Sequence, residues 1–238
     1  MTEEDELAYA SIAEGCAVSL PFAPAIGLNR VLGLTDTESL EAALGWFAGR
    51  GGTRHVQIDA SSASASVLQW ISDRGLKRNG ASWVKLACPA PVSPGYRNGA
   101  IEVRLASEAE AELFGALMCR GFGFPPRLAP LWSGIVGKPS WSCHLAYLDE
   151  TPVGSAIMYT AGGYAWLGGG TTLPEYRNRG VQTALIHDRM SIGAALGVTV
   201  FASETAEPES GKSRVSYDNL VKLGFEPVYT RQNYLIED

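Results

Sequence analysis

Hydrophobic positions in the second half of the chain change from strand-like to helix-like spacing. The run at 164–173 is rich in aromatic and β-branched residues, and three glycines loosen it, which is typical of a strand with a bulge or a close approach. Apolar residues then recur at helical spacing from Val181 to Leu196, and the polar pair Asp188 and Arg189 interrupts their stripe. The pattern predicts a strand that leads through a short connection into a helix.

The same criteria predict the remaining elements of this half. They are a strand at 101–105, an amphipathic helix at 108–120, a short helix at 127–136, a hairpin of 141–148 and 152–160, a buried strand at 197–203, a helix that ends at Gly224 and a last strand through Tyr234.

The first half has a more compressed order of elements. It is predicted to contain a strand at 28–34, a helix at 36–48, a strand at 55–59, a helix at 65–73 and a strand at 81–87. Three prolines and two glycines then fall within 88–99 and cannot continue a helix or a central strand. We therefore predict one domain at 1–90, a linker at 91–100 and a second domain at 101–238.

Composition narrows the class of protein. Of the 238 residues, 18% are charged, which is ordinary for a globular protein. The net charge of −6 argues against nucleic-acid binding, which requires a basic face. No run approaches the roughly eighteen apolar residues of a membrane span, and the first residues are acidic where a secretory signal would be basic. The four cysteines lack metal-type pairing. We expect a cytoplasmic protein with no nucleic acid, membrane or metal partner.

The connection before the second-half helix indicates an anion site. Arg177 and Gly180 stand in an Arg-x-x-Gly pattern that opens the helix directly. The first turn of a helix has free backbone N–H groups and a partial positive charge, and a glycine there allows a bulky anion to approach. The loop has neither the pattern of a nucleotide-hydrolysing P-loop nor that of a dinucleotide fold.

This loop resembles the Gln/Arg-x-x-Gly-x-Gly/Ala loop of the GNAT family of acyl-CoA-dependent N-acetyltransferases. A second stretch, 216–229, is similar to another signature of the family, a short helix that ends in Leu-Gly-Phe and is followed by a strand. The resemblance implies an α/β (α+β) GNAT fold, with a mixed, mostly antiparallel central sheet flanked by helices. The strands and helices of the first half follow an order similar to those of the second half. This suggests two tandem GNAT-like domains, of which the first is degenerate and does not bind CoA. The alternative is that the first half is a non-homologous α/β cap.

The resemblance also implies which residues bind acetyl-CoA (coenzyme A). The pantetheine arm would lie along the strand, and the loop amides would hold the pyrophosphate; Gln182 replaces the usual small residue of the loop. The implied cofactor-binding residues are Thr171, Thr172, Leu173, Arg177, Arg179, Gly180, Val181, Gln182, Thr183, Ala184, Ser216 and Asn219.

The acid and base of the reaction are less well defined by the resemblance. Leu220 occupies the position where the family often has a tyrosine, and a leucine cannot donate a proton. Tyr217 is the candidate proton donor; the alternative is that its side chain only packs. Glu204 is the candidate base for the amine; the alternative is that it is a solvated loop carboxylate. His144 is either part of the acceptor cleft or a structural histidine.

These features predict an N-acetyltransferase that passes an acetyl group directly from acetyl-CoA to a primary amine of a small molecule. The alternative is an acyl-CoA-binding sensor or regulatory module of the same fold, which the leucine in place of tyrosine favours. An α/β protein that binds no CoA is a third reading. An exposed strand edge in this fold would also allow two chains to pair as a homodimer.

Overall fold

The computed structural model describes residues 6–90 and 99–237, so most of the predicted linker at 91–100 lies outside the described residues. The chain divides into two compact units, Met1–Val84 with Tyr229–Asp238, and Lys85–Val228. This division assigns the C-terminal residues to the first unit. The tandem arrangement of 1–90 and 101–238 stays a prediction, because compactness alone does not establish two related domains.

The first unit is a sheet with two helices. Its elements are β1 (Ala8–Ile12), β2 (Gly15–Ser19), β3 (Asn29–Leu32), α1 (Thr37–Phe47), β4 (Arg54–Ile58), α2 (Ala65–Asp73) and most of β11 (Glu226–Ile236). The strands are ordered β1-β2-β3-β4-β11. The β3–β4 pair is parallel, and the other pairs are antiparallel.

Both helices of the first unit begin with a side-chain cap. The backbone N–H of Ser39 donates to the carboxylate of Asp36 at 2.8 Å, and that of Val67 donates to Oγ of Ser64 at 3.3 Å. These bonds satisfy helix-terminal amides that have no partner within the helix. The helices cover a core of Val31, Leu40, Phe47, Val56, Val67 and Ile71.

The second unit has a longer sheet and four helices among the described residues. Its elements are β5 (Trp83–Pro89), which begins in the first unit, β6 (Ile101–Leu105), α3 (Ala111–Phe122), α4 (Ala129–Ser133), β7 (Trp141–Leu148), β8 (Thr151–Ala161), β9 (Tyr164–Thr172), α5 (Val181–Ala195), β10 (Val200–Ala206) and α6 (Val215–Lys222). The strands are ordered β5-β10-β9-β8-β7-β6. The β9–β10 pair is parallel, and β6 to β9 pair antiparallel.

Helices cover both faces of this sheet. On one face, α3 packs Phe114, Leu117 and Met118 into a core with β7 and β8. On the opposite face, α5 contributes Val181 and Leu185 to a core with the same two strands. Because β7 and β8 are apolar on both faces, they are buried in the middle of the unit.

The mixed, mostly antiparallel sheet flanked by helices is confirmed, with differences in detail. The helix predicted from 108 begins at Ala111, after a 3-10 turn at Glu108–Glu110 whose capping box pairs Ser107 with Glu110. The helix predicted at 127–136 is wrong in length: it is a 3-10 turn followed by the five-residue α4. The hairpin of β1 and β2 was not predicted, because its small, half-exposed residues give a weak alternation.

Candidate functional site

The second unit contains a cleft of about 780 Å³ where β9, the loop after it, α5, α6 and the end of α3 meet. Nine of the residues predicted to bind the cofactor line this cleft. They are Thr171, Thr172, Arg177, Gly180, Val181, Gln182, Thr183, Ser216 and Asn219. Residues distant in sequence are thus brought to one place.

One wall of the cleft is the last part of β9, where none of the described residues continues the parallel pairing with β10. The β9–β10 ladder runs from Tyr164–Val200 to Leu167–Ser203, while β9 continues to Thr172. Hydroxyl Oγ of Ser203 donates to the Leu167 carbonyl at 2.8 Å, at the point where the two strands part. The last part of β9 therefore presents backbone groups towards the cleft that an extended ligand could pair with.

A bulge lies in β9 next to this edge. Ser155 of β8 pairs with Thr171, and Ile157 pairs with Gly168, so Ala156 stands opposite two residues of β9. One of these, Gly169, has φ +52°, in the left-handed region that favours glycine. The other, Gly170, lines the cleft. The glycines that loosen the predicted strand therefore build an irregular segment at the site.

The N-terminus of α5 opens onto the same cleft. Gly180 precedes the helix with φ +84°, and a glycine has no side chain with which to cap the first amides. No acidic residue lies in the first turn, so the positive end of the helix dipole is not compensated there. The terminus combines amide donors and positive potential at one wall of a cleft, which is the arrangement that binds phosphate groups.

The two arginines of the loop have different positions. Arg177 lines the cleft and donates from Nη2 to the carbonyl of Gly121, at the end of α3, at 3.1 Å. Arg179 is not among the lining residues, and its Cζ lies 5.4 Å from the ring centroid of Tyr176. Of the two, Arg177 is the one whose charge lies at the cleft.

Gln182 joins α5 to α6. Its Nε2 donates to Oγ of Ser216 at 3.0 Å, and its Oε1 accepts from Nδ2 of Asn219 at 2.7 Å. The long side chain that departs from the family pattern therefore has a structural partner for both of its polar atoms. Both predicted α6 residues reach the cleft, but their side chains are engaged by this glutamine.

Other predicted residues do not line the cleft. Leu173 and Ala184 are buried, so only their backbone could contact a ligand. Tyr217 lies on α6, with the Cζ of Arg214 5.8 Å from its ring centroid. Glu204 is paired with Lys85, and its side chain is only 9% exposed. The described geometry therefore does not join either candidate catalytic residue to the cleft lining.

Two polar residues lie in the core beneath α5. His144 is fully buried, and its Nδ1 lies 2.8 Å from Oδ2 of Asp188. Burial lowers the pKa of His144, and the hydrogen bond to the Asp188 carboxylate raises it in part. Arg189 is also buried and bonds to three backbone carbonyls. The break in the apolar stripe of α5 at 188–189 was the only sequence signal of this cluster.

Several lining residues were not predicted as site residues. Gly121, Phe122, Ser213 and Lys222 reach the cleft from α3 and from either end of α6. Their position depends on tertiary packing and leaves no local pattern. Among the described residues, no group of three or more histidine, cysteine or acidic side chains is placed to hold a metal ion. The helices of the described part are all too short or too polar to cross a bilayer.

Comparison with known proteins gives matches among solved structures alone. No protein-family model matches the sequence, and no curated protein sequence matches it. A GCN5-related N-acetyltransferase from Sphaerobacter thermophilus matches with a TM-score of 0.64 and 18% identity, over 84% of this chain and 64% of that chain. A GCN5-related N-acetyltransferase from Kribbella flavida matches with a TM-score of 0.65 and 16% identity, over 98% of this chain and 90% of that chain.

A tandem GNAT protein from the clavulanic acid biosynthesis pathway is also similar, with a TM-score of 0.57 and 12% identity, over 84% of this chain and 69% of that chain. At such identities the likeness concerns the fold. The chain spans less than two thirds of the Sphaerobacter protein, so that protein has further chain without a counterpart here.

Proposed function

We propose that this chain, which has the fold of the GCN5-related N-acetyltransferases, transfers an acetyl group from acetyl-CoA to the primary amine of a small-molecule acceptor. The observation that carries the proposal is the start of α5, where Gly180 leaves a helix N-terminus without a side-chain cap at the wall of a large cleft. An anion of the donor would be bound there by backbone amides.

The residues of the cleft fit coenzyme A. The volume of about 780 Å³ lies within the roughly 300–1,000 Å³ of small-molecule sites. The amides of Val181, Gln182 and Thr183 would hold the pyrophosphate, with Arg177 adding positive charge. The free edge of β9 would pair with the amide groups of the pantetheine arm. Acetyl-CoA would supply the activated acyl group, and the chain would supply orientation and electrostatic stabilisation.

The proposed chemistry is direct transfer. The amine nitrogen, once neutral, attacks the thioester carbonyl; the C–S bond breaks, the nitrogen loses a proton, and the thiolate gains one. Tyr217 remains the proposed donor to the thiolate. Glu204 is a weaker proposal for the base because Lys85 engages its carboxylate. Ordered water can carry the amine proton instead, since an exposed cleft has access to it.

The tandem arrangement belongs to the same proposal. In the first unit β3, α1, β4 and α2 follow one another in the order in which β9, α5, β10 and α6 do in the second, and the β3–β4 and β9–β10 pairs are both parallel. At the start of α1, however, Asp36 provides a carboxylate cap, where the start of α5 has Gly180. A carboxylate there repels phosphate, which supports a first domain that has lost CoA binding.

Isothermal titration with acetyl-CoA tests the proposal most directly. The wild-type chain should bind, and Gly180→Glu should weaken binding by more than about tenfold, because it places a carboxylate and a side chain at the phosphate site. Gly197→Glu is the matched control: Gly197 has the same φ of +84° at the other end of α5, and a side chain there would meet open space. It introduces the same charge and backbone strain away from the cleft.

Retained binding in Gly180→Glu, or equal loss in both variants, would contradict the assignment of the phosphate site. The second candidate function, an acyl-CoA sensor without turnover, is favoured by one observation. Leu220, at the usual tyrosine position, is buried and cannot donate a proton. A library of primary amines separates the two functions: the enzyme releases free CoA with some amine, whereas the sensor binds acetyl-CoA and releases none.

A further inference from the structure

Arg189 is a buried cation that the proposed mechanism does not use. Only 3% of the residue is exposed. Its Nε donates to the carbonyl of Leu185 within α5 at 2.9 Å, and its Nη1 donates to the carbonyls of Ile157 at 2.8 Å and Gly168 at 3.0 Å. The side chain thus joins one helix to two strands through backbone acceptors alone. A fully desolvated guanidinium is costly to bury, so its position calls for a reason.

The two strand carbonyls mark the boundary of the bulge. Ile157 and Gly168 are the last regular pair of β8 and β9 before the bulge, which is formed by Gly169 and Gly170. A Cβ added to Gly170, the cleft-lining residue of the bulge, would lie 3.4 Å from Nη2 of Arg189. A Cβ added to Gly169, the other residue of the bulge, would instead meet Met118. Met118 and the guanidinium therefore lie on opposite sides of the bulge.

The guanidinium keeps its charge in this position. Burial lowers the pKa of Arg189 to about 9, while the charge of Asp188 raises it in part. At neutral pH the group is therefore protonated. The nearby Asp188 carboxylate bonds to His144, and no ion pair joins it to Arg189 among the described contacts. A cation without a bonded counter-ion projects its field through the strand, where the low dielectric of the core screens it little.

We infer that Arg189 is a positioning residue for acyl transfer, which holds the β9 bulge in place and polarises the acyl carbonyl bound beside it. The inference rests on the proposed function. A thioester bound along the last part of β9 would lie beside Gly170, which lines the cleft, and negative charge would develop on its carbonyl oxygen during transfer. A fixed positive charge behind the strand stabilises the charged form more than the ground state.

Isotope-edited infrared spectroscopy of bound [1-¹³C]acetyl-CoA tests the inference without an acceptor. In the wild-type protein the thioester carbonyl stretch should move to lower frequency than in free acetyl-CoA, because polarisation weakens the C=O bond. Arg189→Met, which keeps the length of the side chain and removes the charge, should lose most of that shift while its Kd for acetyl-CoA stays within about threefold. Arg189→Lys should retain most of the shift.

Controls separate polarisation from general destabilisation. Leu145→Val alters a fully buried residue of β7 in the same unit and should leave the carbonyl frequency unchanged. Should Arg189→Met fail to fold, Arg189→Gln provides a second neutral side chain that can still donate to a carbonyl. Once an acceptor amine is known, Arg189→Met should lower kcat by about tenfold or more and leave KM for acetyl-CoA nearly unchanged.

A wild-type carbonyl frequency in either neutral variant would overturn the inference and leave the proposed function standing. Acetyl-CoA binding with no shift in the wild-type protein would do the same. Absence of acetyl-CoA binding by the wild-type chain would overturn both, so the two failures are distinguishable.

Discussion

Oε1 of Gln182 accepts a hydrogen bond of 2.7 Å from Nδ2 of Asn219, and this contact ties the first turn of α5 to the middle of α6. The same glutamine donates to Ser216. A residue that looks like a departure from the family loop thus replaces a small side chain by a link between two helices. Because backbone amides are the proposed phosphate ligands, the link and the anion site can coexist at one position.

Gln182→Ala should therefore separate stability from ligand binding. Loss of two part-buried hydrogen bonds should lower the free energy of unfolding by about 1–2 kcal/mol, measured by urea denaturation. The Kd for acetyl-CoA, measured by titration calorimetry, should stay within about threefold of wild type, because the variant keeps the amide of residue 182.

The matched control is Gln57→Ala in the first unit. The side-chain amide of Gln57 likewise donates to Asn233 and accepts from Arg30, but Gln57 lies outside the second unit. It should lower stability without any effect on the Kd. A loss of affinity above about tenfold in Gln182→Ala would show that its side chain, and not the backbone, holds the donor.

The two arginines of the loop should contribute unequally to donor binding. Arg177 lines the cleft, whereas Arg179 does not. Arg177→Ala should weaken acetyl-CoA binding by about tenfold, the size of one charge-assisted hydrogen bond or phosphate contact. Arg179→Ala should change the Kd by less than about threefold. The difference in Kd between the two variants should be smaller at high salt than at low salt, because salt screens exposed charges. Equal effects of the two substitutions would contradict this ranking.

Much of the fold and of the candidate site could be predicted from local sequence. The spacing of apolar residues after Gly180 and the Leu-Gly-Phe ending at 223–225 are local signals, and each lies where the structure places a helix boundary. The hairpin of β7 and β8 has clear alternation and was likewise predictable. These features depend on residues within one turn or one strand of each other.

Features that depend on long-range packing could not be predicted. Gly121 reaches the cleft because α3 packs closely against Thr171, a relation with no local pattern. The pairing of Glu204 with Lys85 joins residues 119 positions apart. Arg189 appeared only as a break in an apolar stripe, because a buried charge is defined by its partners and not by its neighbours in sequence.

The start of α1 leads to a prediction about stoichiometry. The Asp36 carboxylate accepts hydrogen bonds from the backbone and the hydroxyl of Ser39, and the backbone bond is the main cause of its lowered pKa. The carboxylate is therefore ionised at neutral pH, and it occupies the terminus where a phosphate would bind. We expect titration calorimetry to give one acetyl-CoA per chain.

Gly180→Glu should weaken this one site by more than about tenfold and leave no other site on the chain. Two equivalents per chain in the wild-type protein would contradict the view that the first unit has lost CoA binding. Asp36→Ala should still bind one equivalent, because removal of one cap does not build the cleft around it.

The buried His144, which pairs with the partly exposed Asp188, should make stability depend on pH. Burial is the main cause of the lowered pKa of His144, with the charge of Arg189 acting in the same direction and Asp188 opposing it. The folded pKa is therefore below the ordinary value of about 6.5. Above that value both states are neutral and the stability is full. As the pH falls below about 6.5, the unfolded chain takes up a proton that the native protein does not, and stability is lost.

Urea unfolding at pH 7.5, 6.5 and 5.5 should show this decline in the wild-type protein, in a range where ordinary carboxylates hardly titrate. His144→Asn keeps a donor at the position of Nδ1 and does not titrate, so its stability should fall less over the same range. His55 is also buried with a lowered pKa, and His55→Gln is the matched variant in the first unit. A His144→Asn protein with the full wild-type decline would contradict a lowered pKa for His144 in the folded protein, because the decline would then come from other groups.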